Sequence, residues 1–321
     1  MTTSSLIIFS IISLIGLVIV SYIIEALRSS PKEPEKLSWS NDISTHHIEV
    51  NENNLRYIKT GSGEPLLLLH TLRTQLDMFQ NVIPCLSEYF TVYAFDYPGH
   101  GYSDIPEVEY TPEFLLSIVE GFIEKNNFDN VTVVGESIGG TLGLLLAAKA
   151  NPKVKNVISI NPYDYGNGYG ITRGSWVGRI LFYMNNIPVF GATNWRLRFY
   201  PAFLHIMQGG VANKNVLPTD LMHEIDRVGN RPNQYRAFMS LIRNFPLWEK
   251  AKHEYSKIKT PVLLIYGEND WSTIEERLET KSKIPLTEFK TVPDSGHFLS
   301  LEEPSWLIEL IIKFASENSE I

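Results

Sequence analysis

Apolar residues occur along this chain in short runs that alternate with helical patterns. From residue 46, two alternating segments separated by NENN predict an antiparallel hairpin, and six apolar runs follow. Such runs are typical of strands buried on both faces of a parallel sheet. The six runs are PLLLLH (65–70), FTVYAFD (90–96), VTVVGE (131–136), VKNVISI (154–160), PVLLIYGE (261–268) and TEFKTVPD (287–294).

Helical patterns lie between most of these strands. Residues 75–88 place apolar positions on one helix face, and Thr111-Pro112-Glu113 is a typical helix start before FLLSIVEGFIE. Residues 138–150 are apolar on every side, as expected for a helix packed flat on a sheet. This alternation predicts an α/β fold with a doubly wound, mostly parallel sheet.

The alternation stops between residues 162 and 250, where aromatic residues and glycine are frequent and no core strand is evident. We predict a helical lid at about residues 163–248, inserted between the sixth and seventh strands. Lids of this kind wall a ligand pocket with apolar side chains. The alternative is a second packing subdomain that does not contact substrate.

The N-terminal segment differs from the rest of the chain. Residues 5–24 contain no charge, and twenty helical residues span ~30 Å, the thickness of a bilayer's hydrocarbon core. Because MTTS has no basic residue and no A-x-A site follows, a retained transmembrane anchor is favoured over a cleaved signal peptide. A buried core helix would rarely lack charge on every face.

These features predict three regions. Residues 1–28 form the anchor, residues 29–45 a polar spacer with two prolines, and residues 46–321 the main domain. Basic residues follow the span, so the positive-inside rule predicts a cytoplasmic main domain. These basic residues are Arg28, Lys32 and Lys36.

Composition narrows the classes of partner. The 321 residues carry a formal net charge of −8, and no basic block is present, which argues against nucleic acid. Cys85 is the only cysteine, so an internal disulfide is impossible, and no Cys/His spacing suggests a metal site. We expect no metal and no cofactor. The oligomeric state stays open.

A serine lies on a glycine-flanked turn between a predicted strand and a predicted helix. Gly135-Glu136-Ser137-Ile138-Gly139 fits G-x-S-x-G, and this strand–turn–helix context is the one that a nucleophile elbow needs. The sharp turn exposes the Ser137 hydroxyl above the carboxyl edge of the sheet. The helix N-terminus favours developing negative charge there.

A serine hydroxyl needs a base and an orienting carboxylate to become a nucleophile. His297 follows the last predicted strand, and Asp270 follows the strand before it. Both loops belong to the sheet edge that carries Ser137. The chain order is therefore Ser, Asp, His, which predicts a catalytic triad.

From about residue 46 the chain resembles the α/β-hydrolase superfamily. DYPGHGYSD (96–104) resembles the family's D-x-P-G-x-G-x-S loop, and YGENDW, DSGHF and LEEPSWLIELIIKF stand where the family has similar segments. The resemblance implies that Ser137 is the nucleophile, His297 the general base and then acid, and Asp270 the orienting carboxylate.

The triad acid has alternatives. Asp164 follows the sixth strand, at a position that some family members use. Glu268 points elsewhere if its strand continues, and Asp294 ends the last strand. Asp270 is preferred, with Asp164 left open.

An oxyanion hole needs two backbone N–H donors. The resemblance assigns one to Ile138 and the other to Leu72, in the loop after the third strand. The family usually has His-Gly at that loop. Here His70 is followed by Thr71, which narrows the allowed backbone geometry without removing the donor. Arg73 is a possible contact for a substrate carboxylate or phosphate, or alternatively part of a structural ion pair.

These residues predict a membrane-anchored serine hydrolase (esterase- or lipase-like) that cleaves a small-molecule or lipid-like ester through an acyl-enzyme. An acyltransferase or a C–C bond hydrolase with the same triad remains open. Epoxide hydrolases and haloalkane dehalogenases are disfavoured, because in those relatives the elbow carries Asp. The alternative of another class is a non-catalytic binding or scaffold protein on this fold.

Overall fold

The structure, a computed structural model, describes residues 3–317, and the strands among them form one sheet. The nine strands are β1 (Lys36–Leu37), β2 (Ser40–Val50), β3 (Asn53–Gly61), β4 (Pro65–Leu69), β5 (Thr91–Phe95), β6 (Val131–Glu136), β7 (Val154–Ile160), β8 (Val262–Gly267) and β9 (Thr287–Val292). Their order is β1-β2-β3-β5-β4-β6-β7-β8-β9. The pairs from β5 to β9 are parallel, and β1, β2 and β3 add antiparallel strands at one edge. The predicted α/β class is confirmed.

Helices cover both faces of the sheet and fill the segment between β7 and β8. They are α1 (Thr3–Ala26), α2 (Ile83–Leu86), α3 (Pro112–Lys125), α4 (Ile138–Ala148), α5 (Trp176–Met184), α6 (Phe190–Arg196), α7 (Tyr200–Gln208), α8 (Thr219–Gly229), α9 (Gln234–Arg243), α10 (Phe245–Lys250), α11 (Ile274–Lys283), α12 (Leu299–Glu302) and α13 (Pro304–Glu317). Short 3₁₀ turns cover Leu76–Phe79, Gly166–Gly168, Gly170–Arg173, Lys214–Val216, Ala251–His253 and Tyr255–Lys257.

The central strands are apolar along their whole length because both of their faces are covered. Consecutive side chains of a strand point to opposite faces. Accordingly, Leu67 and Val133 belong to one apolar cluster, whereas Leu68 and Val134 belong to another. The first cluster includes residues of α3 and α4, and the second includes residues of α13. Because these two clusters cover both faces of the sheet, the polar loops lie at the ends of the strands.

The first strands begin earlier than the sequence analysis placed them. β1 and the start of β2 fall within residues 29–45, which were predicted as a polar spacer. Leu37 and Ile43 are buried in the second apolar cluster, and the Trp39 indole donates to Asp77 Oδ1 at 2.8 Å. These contacts tie the segment to the main domain, so it is not a free spacer.

Two local predictions were wrong. Residues 75–88 do not form one helix: a 3₁₀ turn and the short α2 replace it, with Pro84 in the first turn of α2. A proline in a helix interior would remove a hydrogen bond and clash with the preceding turn, so the helix restarts there. β9 is an edge strand that pairs with β8, and its residues are mostly exposed rather than buried on both faces.

The segment predicted as a lid consists of helices α5–α10 and 3₁₀ turns, without a strand among its described residues. Helix α1 lies apart from the sheet and packs against α6 through its C-terminal end. Most α1 side chains are exposed all around the helix. Its length and mean hydropathy of 2.8 fit a membrane-spanning helix, and they equally fit a signal sequence.

Candidate active site

Ser137 occupies a sharp turn between β6 and α4. Its backbone has φ 60° and ψ −118°, a conformation that is costly for a residue with a side chain. The flanking glycines make this turn possible. A Cβ on Gly135 would lie 2.1 Å from the Gly139 carbonyl oxygen, and a Cβ on Gly139 would lie 2.1 Å from the Leu69 carbonyl oxygen. The elbow expected from the G-x-S-x-G pattern is therefore present.

Ser137, His297 and Asp270 lie together at the carboxyl edge of the sheet. The His297 Nε2 atom is 2.8 Å from Ser137 Oγ, and His297 Nδ1 makes a short hydrogen bond with Asp270 Oδ1. All three residues are buried. With Nδ1–H donating to Asp270, the unprotonated Nε2 accepts a hydrogen bond from the Ser137 hydroxyl.

The Asp270 carboxylate is held in its ionised form. Burial alone would raise its pKa, but the His297 ring and hydrogen bonds from Ser272 lower that pKa below the usual value for aspartate. The Ser272 amide donates to Asp270 Oδ2 at 2.9 Å, and the Ser272 hydroxyl donates to the same oxygen. Asp270 is thus an acceptor-only group that orients His297.

Asp164 does not occupy this position. Its carboxylate accepts hydrogen bonds from the Tyr255 hydroxyl at 3.0 Å and from the Thr280 hydroxyl at 3.1 Å. Burial raises the Asp164 pKa to about 7. Glu268 points away from the triad, as expected, and accepts from the Asp294 amide at 3.1 Å. Among the acids considered, Asp270 contacts the histidine.

Two residues that support His297 were missed by the sequence analysis. The Asn161 amide donates to the Gly296 and His297 carbonyl oxygens at 3.1 and 3.0 Å, and its Oδ1 accepts from the Gly267 amide at 2.9 Å. Trp271 stacks on the His297 ring. The available signal was position, because Asn161 directly follows β7 and Trp271 directly follows Asp270.

The predicted oxyanion donors lie on either side of the elbow. Ile138 is the first residue of α4, so its amide has no intrahelical acceptor. Leu72 lines the same cavity as Ser137. Thr71 is not one of the residues with a positive φ. In this loop the left-handed conformation occurs at Arg73, with φ 55°. Thr71 therefore replaces the family's glycine without backbone strain.

His70 stabilises the loop that carries Leu72. Its Nδ1 lies 2.8 Å from the Thr71 carbonyl oxygen, and its Nε2 accepts from the Tyr97 amide at 3.3 Å. Burial lowers the His70 pKa to about 3, so the ring is neutral at pH 7, with the proton on Nδ1. The Thr74 hydroxyl also donates to the Thr71 carbonyl at 2.8 Å. This histidine acts on the loop's shape rather than on substrate.

A narrow cavity, with about 30 Å³ of free volume for a water-sized group, adjoins Ser137. Leu72, Arg73 and Trp271 line it near the triad. The segment between β7 and β8 supplies six apolar side chains to its wall, namely Ile171, Phe182, Phe203, Ile206, Met207 and Phe238. The site therefore combines a buried, hydrogen-bonded Ser137–His297–Asp270 arrangement with an apolar chamber.

Comparison with known proteins gives the family. The model of the alpha/beta hydrolase fold matches residues 64–304, which is more than half of the chain. The chain belongs to the α/β-hydrolase fold family. This family assignment and the doubly wound sheet identify a hydrolase-type fold, which implies a small-molecule substrate.

Individual relatives of this α/β-hydrolase differ in activity. A soluble epoxide hydrolase from Corynebacterium sp. (strain C12) is 24% identical over 295 residues, covering 86% of this chain and 98% of that protein. The crystal structure of a membrane phospholipase A has a TM-score of 0.71 and 19% identity, covering 96% of this chain and 92% of that one. The crystal structure of the enol-lactonase from Burkholderia xenovorans LB400 has a TM-score of 0.67 and 21% identity, and the match covers 84% of this chain and 100% of that one. At these identities the structural matches show the fold alone.

Proposed function

We propose that this α/β-hydrolase cleaves an ester through an acyl-enzyme on Ser137, with His297 and Asp270 as its base and orienting acid. The observation that carries the proposal is the continuous relay from Ser137 Oγ through the His297 ring to Asp270, with a separation of 2.8 Å at the reacting hydroxyl. A serine is activated as a nucleophile by a base in this geometry.

In the proposed reaction, Ser137 Oγ attacks the ester carbonyl while His297 Nε2 takes its proton. The carbonyl oxygen becomes an oxyanion that the Ile138 and Leu72 amides bind. Collapse of this intermediate breaks the bond to the alcohol, which leaves with the proton from His297. Water then repeats the sequence on the acyl-enzyme, releasing the acid and restoring Ser137.

The chemistry of a serine favours a carbonyl substrate over an epoxide. Attack of Ser137 on an epoxide carbon would form a serine ether, which has no carbonyl for water to attack. Attack on an ester forms a serine ester, which the same histidine can hydrolyse. The apolar walls of the cavity suit an acyl chain.

A fluorophosphonate probe tests the nucleophile. We expect stoichiometric labelling of the wild-type protein, no labelling of Ser137→Ala, and hydrolysis of 4-nitrophenyl esters that depends on Ser137. Equal labelling of both proteins would contradict the proposal. A chain-length series, measured with and without an added alcohol, separates hydrolysis from acyl transfer and defines the acyl group.

We also propose that α1 is retained as a membrane anchor. Its C-terminal end is integrated into the main domain: Glu25 pairs with Arg198 at 3.0 Å and accepts from the Asn233 amide at 2.8 Å. The Ser21 hydroxyl is buried and accepts from Arg196 Nε at 3.0 Å. Cleavage of a signal peptide would remove this helix and leave these buried arginines with fewer hydrogen-bond partners.

The lid surface near α1 supports the same placement. Val189, Phe190 and Phe199, in and beside the helix that α1 contacts, are exposed apolar residues. Exposed apolar groups next to an apolar helix suit a membrane interface. Arg28 donates to Asn230 Oδ1 at 2.8 Å and to the Arg196 carbonyl at 3.0 Å, so it docks the helix besides flanking it.

Fractionation and protease protection test this placement. We expect the full chain in the membrane fraction, resistant to salt extraction. Recovery of a soluble, N-terminally shortened protein would instead identify a signal sequence. The predicted cytoplasmic side is tested by protease added outside the cell membrane, and cleavage of the main domain there would contradict it.

A further inference from the structure

The guanidinium of Arg73 lacks the ion pair that was one expectation from the sequence. Its Nη2 nitrogen is buried and has no hydrogen-bond partner among residues 3–317. The group lies between the rings of Phe203 and Phe238, each with its centroid 5.1 Å from the guanidinium carbon. A buried donor without a protein partner is costly, so such a group calls for a water, an ion or a ligand.

Asp226 is the carboxylate whose charge acts on Arg73, but the two do not satisfy each other. The Asp226 Oδ1 oxygen is also buried without a partner, so it does not accept from Arg73 Nη2. Asp226 Oδ2 accepts from the Asn230 amide at 3.0 Å. Burial lowers the Arg73 pKa to about 10, which still leaves the guanidinium charged at pH 7.

Arg73 lines both the cavity at Ser137 and a second cavity. On one side it lines the apolar chamber that contains Ser137. On the other it lines a second cavity, together with Asn194 and Arg198. The Asn194 Nδ2 nitrogen is buried there without a partner. Two residues with an unsatisfied donor thus line the second cavity, and such donors complement a group that only accepts hydrogen bonds.

Arg198 adds positive charge without competing for this ligand. Its nitrogens donate to Glu25 and to the carbonyl oxygens of Trp195, Gly229 and Arg231. Because these hydrogen bonds engage its donors, Arg198 contributes mainly positive electrostatic potential to the cavity. Its ion pair with Glu25 reduces that potential. Arg73 is the cation whose donors remain available to a ligand.

We propose that Arg73 and Asn194 form an anion-recognising subsite that binds a carboxylate or phosphate group of the ester substrate. The inference rests on the proposed esterase function and narrows its substrate to an amphipathic ester with a negative charge near the acyl chamber. Arg73 directly follows the oxyanion donor Leu72, so a bound anion would also hold the ester against that loop.

Matched substrates test the subsite. Mono-4-nitrophenyl esters of succinic, glutaric and adipic acid are each compared with the neutral ester whose terminal carboxylate is replaced by an isopropyl group. We expect Arg73→Gln to lower the anionic-to-neutral ratio of kcat/KM roughly ten- to hundredfold for the best-fitting acid, the range for a charged hydrogen bond. Arg73→Lys, which keeps the charge, should restore most of the ratio.

Arg243→Gln is the matched control, because Arg243 is exposed on α9 outside both cavities. It should leave the ratio unchanged. If Arg73→Gln slows both members of each pair equally and lowers the unfolding midpoint, Arg73 is a structural cation and the subsite is refuted. Active-site titration with the fluorophosphonate normalises each variant to competent enzyme.

A binding experiment separates this proposal from the esterase proposal. Calorimetry on Ser137→Ala compares decanoate and decyl phosphate with decanol, and repeats the series with Arg73→Gln added. Tighter anion binding that requires Arg73 supports the subsite even if no ester is hydrolysed. Equal binding of decanol refutes it even if hydrolysis is observed. Inorganic phosphate, used alone, tests whether the subsite binds a free anion as well as one that carries an alkyl chain. Arg73-dependent binding of inorganic phosphate or of the chain-bearing anions supports the subsite.

Discussion

Trp271 stacks on the imidazole of His297, with ring centroids 3.8 Å apart and planes inclined by 23°. The Trp271 indole N–H donates to the Gly209 carbonyl at 2.8 Å, which ties the ring to the segment between β7 and β8. The His297 amide donates to the next carbonyl, that of Gly210, at 2.6 Å. The Gly209-Gly210 stretch of the segment between β7 and β8 therefore holds both Trp271 and His297.

Loss of this stack should disorder the His297 ring. We expect Trp271→Ala to reduce kcat/KM roughly tenfold, since an aromatic pair contributes about 0.5–1.5 kcal/mol beyond area burial, while Trp271→Phe retains most activity. The measurement is the rate of fluorophosphonate labelling alongside ester turnover. Trp176→Ala, at a tryptophan that is 67% exposed, is the control. Equal rates in Trp271→Ala and wild type would show that the stack has no positioning role.

The two candidate acids should respond differently to the same amide substitution. Asp270→Asn removes the charge beside His297 and favours the wrong tautomer, so we expect a loss of roughly 10³–10⁴ in kcat. Asp164→Asn should retain turnover within a few fold, because its partners are Tyr255 and Thr280. Steady-state kinetics on one neutral ester checks both. The reverse ranking would transfer the acid role to Asp164.

Two buried carboxyl groups should make stability fall as the pH rises toward neutrality. Burial raises the pKa of Glu136 and of Asp164 to about 7 each, above their unfolded values of 4.5 and 3.8. The folded state therefore holds protons that the unfolded state has lost, and the free energy of unfolding falls across that window. Between the unfolded and folded pKa values, the free energy of unfolding falls by roughly 3 kcal/mol for Glu136 and roughly 4 kcal/mol for Asp164.

Glu136→Gln and Asp164→Asn should flatten this dependence. Urea unfolding at several values between pH 4.5 and pH 7.5 measures the slope for wild type and for each variant. Glu120→Gln, which removes a partly exposed carboxylate, is the control and should keep the wild-type slope. Unchanged slopes in both buried variants would mean that neither carboxyl takes up a proton on folding.

The docking of α1 should depend on Glu25. Glu25→Ala leaves Arg198, whose side chain is 3% exposed, without its carboxylate, and breaking such a pair costs about 3–5 kcal/mol. We expect a lower unfolding midpoint in detergent and reduced activity. Glu124→Ala, which breaks a more exposed pair with Lys153, should cost about 1 kcal/mol or less. A mature protein unaffected by Glu25→Ala would argue for removal of α1.

The class of fold and the candidate triad could both be predicted from the sequence alone. Both depend on local patterns: apolar runs mark strands that are buried on two faces, and a parallel sheet places the ends of those strands at one edge. Ser137, Asp270 and His297 each follow a parallel strand of the sheet, so their proximity follows from topology. Their catalytic roles remain predictions that the proposed experiments test.

The surroundings of those residues depend on contacts that form in the folded chain. Trp271, Asn161 and Gly210 reach His297 from different segments of the chain. The positions of Asn161 and Trp271 after strands place them near the site, but they do not specify a hydrogen bond to His297 or a stack on its ring. The early strands at Leu37 and Ile43 depend on burial against distant residues. Arg73 shows the difference most clearly, because its sequence position permits either an ion pair or a ligand contact. In the folded protein its buried Nη2 nitrogen has no partner among the described residues, since the rings of Phe203 and Phe238 beside it offer no hydrogen-bond acceptor.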